Sequence, residues 1–280
     1  MQVGALRVPS SKTLAEKEDP EREARDNFLG ENIMSKIPEE PKEIFPAITD
    51  DYKQLFGHDL VSIILYGSAA SGEYIPGRSD INFMMVLSEQ GIDALERTFE
   101  VIARWKKRNV ATPLFLTEDY VRTSLDAFPI EYLNFQKAYE LVWGKDILKD
   151  LTFDPGALRL QCEREIKGKL LILREAFLET QGKGRPLQQL VSESVRAFIA
   201  IFCGLLYLEG KELPRDSREV VRQVCKTFEL DSGLFEKLLD IKGKKMKAGA
   251  AEITGLFQAY LKEIQRLWKR VDRLDKEVEG

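Results

Sequence analysis

The stretch that decides the fold is VSIILYGSAASGEYIPGRSDINFMMVL, residues 61–87. Its first part, residues 61–66, is a short apolar run rich in β-branched side chains, which predicts a buried strand. Residues 81–87 predict a second strand in the same way. The small residues between them, 67–71, favour a tight turn that leads into a short helix. The free N–H groups in the first turn of that helix form a cradle suited to phosphate.

Polar side chains surround this turn and open the second strand. Gly67 and Ser68 begin the turn, and Ser79 directly precedes Asp80. Asp80 and Asn82 are two residues apart, so on an extended chain their side chains lie on the same face. The simpler alternative is that Gly67 only permits a tight turn and that Asp80 caps a loop.

This pattern of Gly67-Ser68, Gly72 and Ser79-Asp80 between two strands resembles the nucleotidyltransferase superfamily. That superfamily has the polymerase-β-like fold and includes the kanamycin and the minimal nucleotidyltransferases. The resemblance implies an α+β protein: an N-terminal mixed sheet of the nucleotidyltransferase fold with flanking helices, followed by an all-α C-terminal helical bundle. The superfamily has a second carboxylate where this sequence has Asn82.

The resemblance also implies a reaction and a set of site residues. In the superfamily, two Mg²⁺ ions held by three carboxylates bridge a nucleoside triphosphate and the attacking hydroxyl. Gly67, Ser68 and Ser79 would bind the nucleotide, with ATP the expected one. Asp80 would be a metal ligand shared by the catalytic ions. Asn82 would offer only a neutral amide oxygen there, so metal affinity should fall.

A third carboxylate is assigned to the run that follows Phe128. Residues 128–135 predict a fourth strand with an acid between apolar neighbours, the form that the third carboxylate takes in the superfamily. Glu131 is therefore expected to be a catalytic residue and a metal ligand. The alternative is that Glu131 faces solvent on an edge strand.

Two functions follow from these residues. The first is a Mg²⁺-dependent enzyme that transfers a nucleoside monophosphate to a hydroxyl of a small molecule or a protein, with activity weakened or lost at Asn82. The second is a catalytically silent module that binds a nucleotide or a partner. The retained Gly67, Ser68, Asp80 and Glu131 favour the enzyme, and Asn82 favours the silent module.

Composition restricts the class of protein. The 280 residues are 44% hydrophobic and 31% charged, which is typical of a globular chain with room for two domains. No apolar run approaches the length of a membrane span and no signal peptide opens the sequence, so a cytoplasmic protein without a membrane partner is expected. The lone His58 excludes a multi-histidine metal site and is expected in a loop. The odd number of cysteines, three, is expected to be buried thiols.

The distribution of charge and the positions of proline and glycine predict three segments. Residues 1–40 are expected to be a flexible tail with a transient helix over 14–28, residues 41–155 the nucleotidyltransferase-like domain, and residues 156–280 the helical bundle. Residues 1–155 carry a net charge of −9 and residues 156–280 a net charge of +5. The basic bundle beside the acidic domain predicts a cleft between them that attracts a triphosphate.

Local signals place further elements in the first domain. Residues 48–56 predict a helix, and Ser88 is expected to cap another with apolar positions at 92, 95, 99, 102 and 105. The basic triplet 106–108 suits the end of that helix rather than a nucleic-acid patch. Residues 111–116 predict a third strand, after which Thr117 caps a short helix.

The second half has a helical period throughout. Helices are expected over 158–177, 190–205, 215–228, 233–241 and 252–278. The last has a heptad-like stripe, for which packing inside an antiparallel bundle is favoured over a coiled-coil dimer, although a homodimer through the helical half stays open. The half resembles the substrate-binding helical half of some superfamily members or, alternatively, a HEPN domain. It has no histidine, which excludes the ribonuclease activity of HEPN domains. The basic run 242–247 is expected to be a solvated connector; a phosphate contact is the alternative, and nucleic acid is not favoured as a partner.

Overall fold

The computed structural model describes residues 36–243, 245–246 and 248–274. Most of the expected tail, with its transient helix over 14–28, lies outside the described residues. So do two lysines of the basic run 242–247 and the last four residues of the predicted C-terminal helix.

The N-terminal half forms a four-stranded sheet with helices on both sides. The strands are β1 (Leu60–Tyr66), β2 (Asn82–Leu87), β3 (Leu114–Thr117) and β4 (Tyr139–Gly144). The helices are α1 (Phe45–Phe56), α2 (Ser68–Ser71), α3 (Glu89–Ile92), α4 (Phe99–Lys106), α5 (Glu118–Thr123) and α6 (Pro129–Lys137). The strand order is β3-β2-β1-β4, with β1 antiparallel to β2 and β4, and β2 parallel to β3.

The C-terminal half is all helical. It comprises α7 (Pro155–Thr180), α8 (Gly184–Leu208), α9 (Ser217–Thr227), α10 (Ser232–Lys242) and α11 (Ala250–Val271). A mixed sheet with helices followed by an all-helical region confirms the predicted fold class. Helix α8 packs against α7, α9, α10 and α11 and is the centre of the bundle. By length and composition alone it could cross a membrane, but 56% of its most apolar window is buried, which is typical of a core helix.

The two faces of the sheet contact different layers. Ile63 and Phe83 belong to a core that α1 and Trp105 complete. On the other face, Ile64, Met84 and Val86 belong to the same core as the helical bundle. Asn82 has the same strand parity as Met84 and Val86. The bundle therefore packs on the face of the sheet to which Asn82 points.

The predicted fourth strand is wrong. Residues 129–137 form helix α6, which packs between the sheet and helices α7 and α8. Pro129 occupies its first turn, where the missing N–H costs nothing. Because Ile130, Tyr132 and Leu133 are buried on different sides of α6, the apolar pattern lacks a helical stripe and imitates a strand.

The helix predicted after Ser88 is interrupted. Ser88 does cap α3, since its Oγ accepts a hydrogen bond from Gly91 N at 3.1 Å. The chain then passes through a 3₁₀ turn at Leu95–Thr98 before α4 begins at Phe99. Phe99, expected on the buried stripe, is 70% exposed, because this break changes the phase of the helix.

Other predictions hold. Thr117 caps α5 by accepting a hydrogen bond from Tyr120 N at 3.1 Å. The three cysteines are free and buried. The stripe of the last helix, including Phe257, Tyr260 and Ile264, is buried inside the bundle, as favoured over a coiled-coil dimer. The third strand is shorter than predicted and begins at Leu114.

Candidate functional site

The turn after β1 has the conformation that its glycine suggests. Gly67 has φ 76° and ψ −150°, a region that L residues avoid. Its carbonyl accepts hydrogen bonds from Ala70 N and Ser71 N, both at 3.0 Å, which closes the single turn of α2. The N–H groups of Ser68 and Ala69 precede the first intrahelical bond, so they have no acceptor within the helix.

Asn82 and Asp80 lie beside this turn. Tyr66 on β1 pairs with Asn82 on β2, and a Cβ added to Gly67 would lie 3.5 Å from Asn82 Nδ2. Asn82 Nδ2 donates a hydrogen bond to the backbone oxygen of Asp80 at 3.3 Å. Asp80 is exposed, and no hydrogen bond or ion pair involves its carboxylate among the described residues. The fold thus brings Gly67, Ser68, Asp80 and Asn82 together.

Ser79 supports the loop from within. Its Oγ accepts a hydrogen bond from Ile75 N at 3.1 Å, and its backbone oxygen accepts one from Asn109 Nδ2 at 2.9 Å. Both bonds fix the approach of the chain to Asp80. The hydroxyl that was expected to bind nucleotide is therefore already engaged in a turn.

Glu131 lies on a helix and not on the strand on which its role was expected. It lies in the first turn of α6, where a carboxylate is favourable, and not on a strand. Six residues separate it from the end of α6 that leads towards Tyr139, about 9 Å along the helix axis. Its Oε2 accepts a hydrogen bond from Gln161 Nε2 at 2.7 Å, while Gln161 Oε1 accepts one from Ile130 N at 2.8 Å. Glu131 thus joins α6 to α7.

The expected two-metal site does not fit this arrangement. Within the described ranges, no group of three or more histidine, cysteine, aspartate or glutamate side chains is placed to hold a metal ion. Asp80 has the neutral Asn82 as its neighbour, and Glu131 is bound to Gln161. The residues present leave Mg²⁺ without the set of anionic oxygens that it prefers.

The bundle reaches the turn directly. Ser217, the first residue of α9, donates a hydrogen bond from Oγ to Glu73 Oε1 at 2.7 Å. Glu73 N in turn donates to Ser68 O at 3.1 Å, so Glu73 connects the turn to the bundle. We call the region formed by residues 67–73, Arg196, Ser217 and Lys242 the junction.

Lys242 is the unusual charge of the junction. It is half-buried at the end of α10, and no ion pair or hydrogen bond involves its amino group in the part of the chain that the structure describes. Burial lowers its pKa from 10.5, and Glu73 opposes this effect. Arg196, Asp216 and Arg218 are the other charged groups that act on it. Arg218 is itself paired with Glu236 and Asp240.

Sequence reasoning found these residues only in part. The basic run 242–247 had a phosphate contact as its alternative, but nothing singled out Lys242 from its neighbours. Ser217 lies on a helix far along the chain from Gly67, so only the packing brings it to Glu73 at the end of the turn. A groove on α9 and α10 has Arg222 and Glu236 in its lining, and because these two side chains form an ion pair with each other we assign it no role.

Among known proteins, the fold has a distant similarity to that of an adenyltransferase. No family model and no curated protein matches the sequence. Among solved structures, spectinomycin adenyltransferase AAD(9) from Enterococcus faecialis, solved with ATP and spectinomycin, matches 79% of this chain and 99% of its own. The identity is 13% and the TM-score 0.40. The chain thus has a distant structural similarity to this adenyltransferase.

Proposed function

We propose that the protein binds a nucleoside triphosphate, with ATP the first candidate, at the junction, and that it does not catalyse efficient nucleotide transfer. The observation that carries this proposal is Lys242, a half-buried ammonium group that no hydrogen bond or ion pair engages in the described structure and whose pKa is influenced by Glu73, the residue that ends the Gly67 turn. A desolvated cation of this kind is stabilised when an anion binds beside it.

The turn supplies the complementary donors. The N–H groups of Ser68 and Ala69 are free of intrahelical acceptors, and Gly67 has no side chain to obstruct an approaching phosphate. Arg196 adds a second exposed positive charge on the bundle side. Backbone donors on one side and cations on the other suit a ligand with several anionic oxygens, such as a triphosphate.

Efficient transfer is not supported because the described residues do not bring together the charges that it requires. The reaction in the superfamily needs divalent ions to neutralise the departing pyrophosphate. Here Asn82 replaces one carboxylate, and Glu131 is tied to Gln161 on another element. The silent nucleotide-binding module of the two expected functions is therefore favoured over the Mg²⁺-dependent enzyme and its hydroxyl acceptor.

Calorimetric titration of ATP into the full chain tests this function. Wild type should bind ATP in the presence of EDTA, and Lys242→Met should weaken binding about tenfold to a hundredfold, the effect of losing one charge-assisted contact. The matched control is Lys237→Met, on the exposed side of the same helix. It should leave the affinity within about twofold, since surface charges outside a site contribute little.

Three outcomes contradict the proposal. If wild type binds neither ATP nor pyrophosphate, the junction is not a nucleotide site. If ATP binds but Lys242→Met and Lys237→Met lower the affinity equally, or if neither lowers it, the nucleotide lies elsewhere. Robust transfer to an acceptor in the presence of Mg²⁺ would restore the enzyme hypothesis.

A further inference from the structure

Helix α7 exposes an unusual amount of apolar surface. Leu160, Leu171, Ile172 and Leu178 are 57%, 64%, 59% and 74% exposed. They are half of the large apolar side chains with high exposure in the described part of the chain. At 100° per residue, Leu160, Leu171 and Leu178 fall within about 20° of one another around the helix. We call these four residues the α7 stripe.

The stripe lies on the side of α7 that faces away from the bundle. The opposite side, with Cys162, Ile166 and Leu170, is already buried in the core. An amphipathic surface helix has one apolar side and one polar side. Helix α7 has apolar residues on both, which marks the second side as an interaction surface.

We propose that the α7 stripe packs against α7 of a second copy of this chain, antiparallel across a two-fold axis. This inference does not depend on the function of the junction. An axis between positions 169 and 170 places Gly168 of one copy opposite Leu171 of the other. A Cβ at Gly168 would meet no atom within 4 Å, so this position is open space in one copy. Leu171 of the second copy fills it, as a large side chain fills the space over a small one.

Charge complementarity supports this pairing. The same axis places Arg164 of one copy opposite Glu175 of the other, and the contact occurs twice because the interface is symmetric. Both side chains are exposed on the stripe's side of α7, and neither has an ion-pair partner within the described ranges. A parallel pairing would instead place Arg164 beside Arg164, which is repulsive.

The second copy fits this surface better than a lipid bilayer does. A helix that lies on anionic lipid carries mainly lysine and arginine around its apolar side. Here Glu175 and Glu179 flank the stripe along with Arg164 and Arg174. Charges of both signs that pair with opposite charges on a two-fold related copy indicate a protein partner with the same sequence.

Sedimentation equilibrium of the full chain across about 1 to 100 µM tests the proposal, since this range detects micromolar dimerisation. Wild type should approach twice the 32.0 kDa mass of one chain. Leu171→Glu should be monomeric, because it places a carboxylate at the centre of the interface. Phe99→Glu, at an equally exposed apolar residue in the other half, should dimerise like wild type. Circular dichroism of each variant verifies folding.

Charge exchange tests the antiparallel arrangement itself. Arg164→Glu alone should weaken the dimer about tenfold or more, because it faces Glu175 of the second copy twice. Adding Glu175→Arg in the same chain should restore it. A wild type that stays monomeric throughout the range overturns the proposal. Dimerisation that survives Leu171→Glu, or a double variant no better than Arg164→Glu, overturns the α7 interface.

Discussion

Asn82 stabilises the start of β2 through its side-chain N–H donor, which an aspartate would lack. Its Nδ2 donates to the backbone oxygen of Asp80, so Asn82→Asp replaces a donor with an anion facing that oxygen. We expect the variant to lose about 1 kcal/mol of stability without metal. Mg²⁺ should then raise its melting temperature, because Asp80 and the new carboxylate share one face of the strand.

Thermal melts with and without Mg²⁺ measure this effect. Wild type should show no shift, and the double variant Asp80→Asn with Asn82→Asp should lose the shift again. Equal Mg²⁺ responses in wild type and Asn82→Asp would mean that residue 82 does not share a metal-accessible surface with Asp80.

Lys242 should lower the stability of the folded protein and at the same time increase its affinity for ATP. Burial lowers its pKa below 10.5, so between the folded and the unfolded pKa the unfolded chain binds more protons. Stability of the nucleotide-free protein therefore rises with pH in that alkaline window. Lys242→Met removes the buried charge. Without nucleotide, its melting temperature and its midpoint in chemical denaturation should equal or exceed those of wild type, although it binds ATP less well.

The same pKa shift gives nucleotide affinity a pH dependence. As pH rises through the folded pKa, Lys242 loses its proton and ATP binding weakens, at a lower pH than an ordinary lysine would require. Lys242→Arg keeps its charge and should retain affinity into the alkaline range. Calorimetric titrations between neutral pH and about pH 10 compare the two proteins. Parallel pH profiles would show that Lys242 does not contact the nucleotide.

At the scale of elements, Gln161 fastens α6 to α7. Gln161→Leu leaves the buried Ile130 N–H without its acceptor and should cost about 1–3 kcal/mol in urea denaturation. Glu131→Gln keeps an oxygen that accepts from Gln161 and should cost less than about 1 kcal/mol, with ATP affinity unchanged. A large loss of ATP affinity in Glu131→Gln would mean that Glu131 takes part in nucleotide binding.

Gly144 fixes the end of β4 against β1. It has φ +87°, and a Cβ there would collide with the backbone oxygen of Val61. Gly144→Ala should therefore cost about 3 kcal/mol or more. Gly255→Ala, at an open position inside α11, should instead stabilise by up to about 1 kcal/mol. The two denaturation curves give the comparison, and similar midpoints would contradict the described β1–β4 pairing.

Elements with a clear signal were predictable from the sequence. The strands around residues 61–87, the caps at Ser88 and Thr117 and the long helices of the bundle follow from local chemistry and periodicity. Helix α6 did not, because it is buried on more than one side and so lacks an apolar stripe. That error displaced Glu131, since its role depended on a strand that does not exist.

The site was predictable only where it is local. Gly67, Ser68, Asp80 and Asn82 are joined by one hairpin-like stretch, whose spacing the sequence contains. Lys242 comes under the influence of Glu73 and of Arg196 through the packing of the bundle on one face of the sheet. No periodicity in a single sequence encodes which face that is.

At the scale of the whole molecule, the sheet and the bundle share one core. Ile64, Met84 and Val86 contact the same buried cluster as α7 and α8. We expect the two halves to unfold together, in one calorimetric transition, because neither can expose this surface alone. Two separated transitions would mean that the shared core contributes little.

The central claim is that the junction binds a nucleoside triphosphate that the protein does not transfer. Phosphorus NMR of ATP with the full chain tests both parts at once. In EDTA the account predicts broadened and shifted β- and γ-phosphate signals, which Lys242→Met restores towards those of free ATP. After Mg²⁺ and a panel of hydroxyl compounds are added, it predicts no pyrophosphate signal. Unchanged ATP signals in EDTA, or pyrophosphate that accumulates with Mg²⁺, would contradict it.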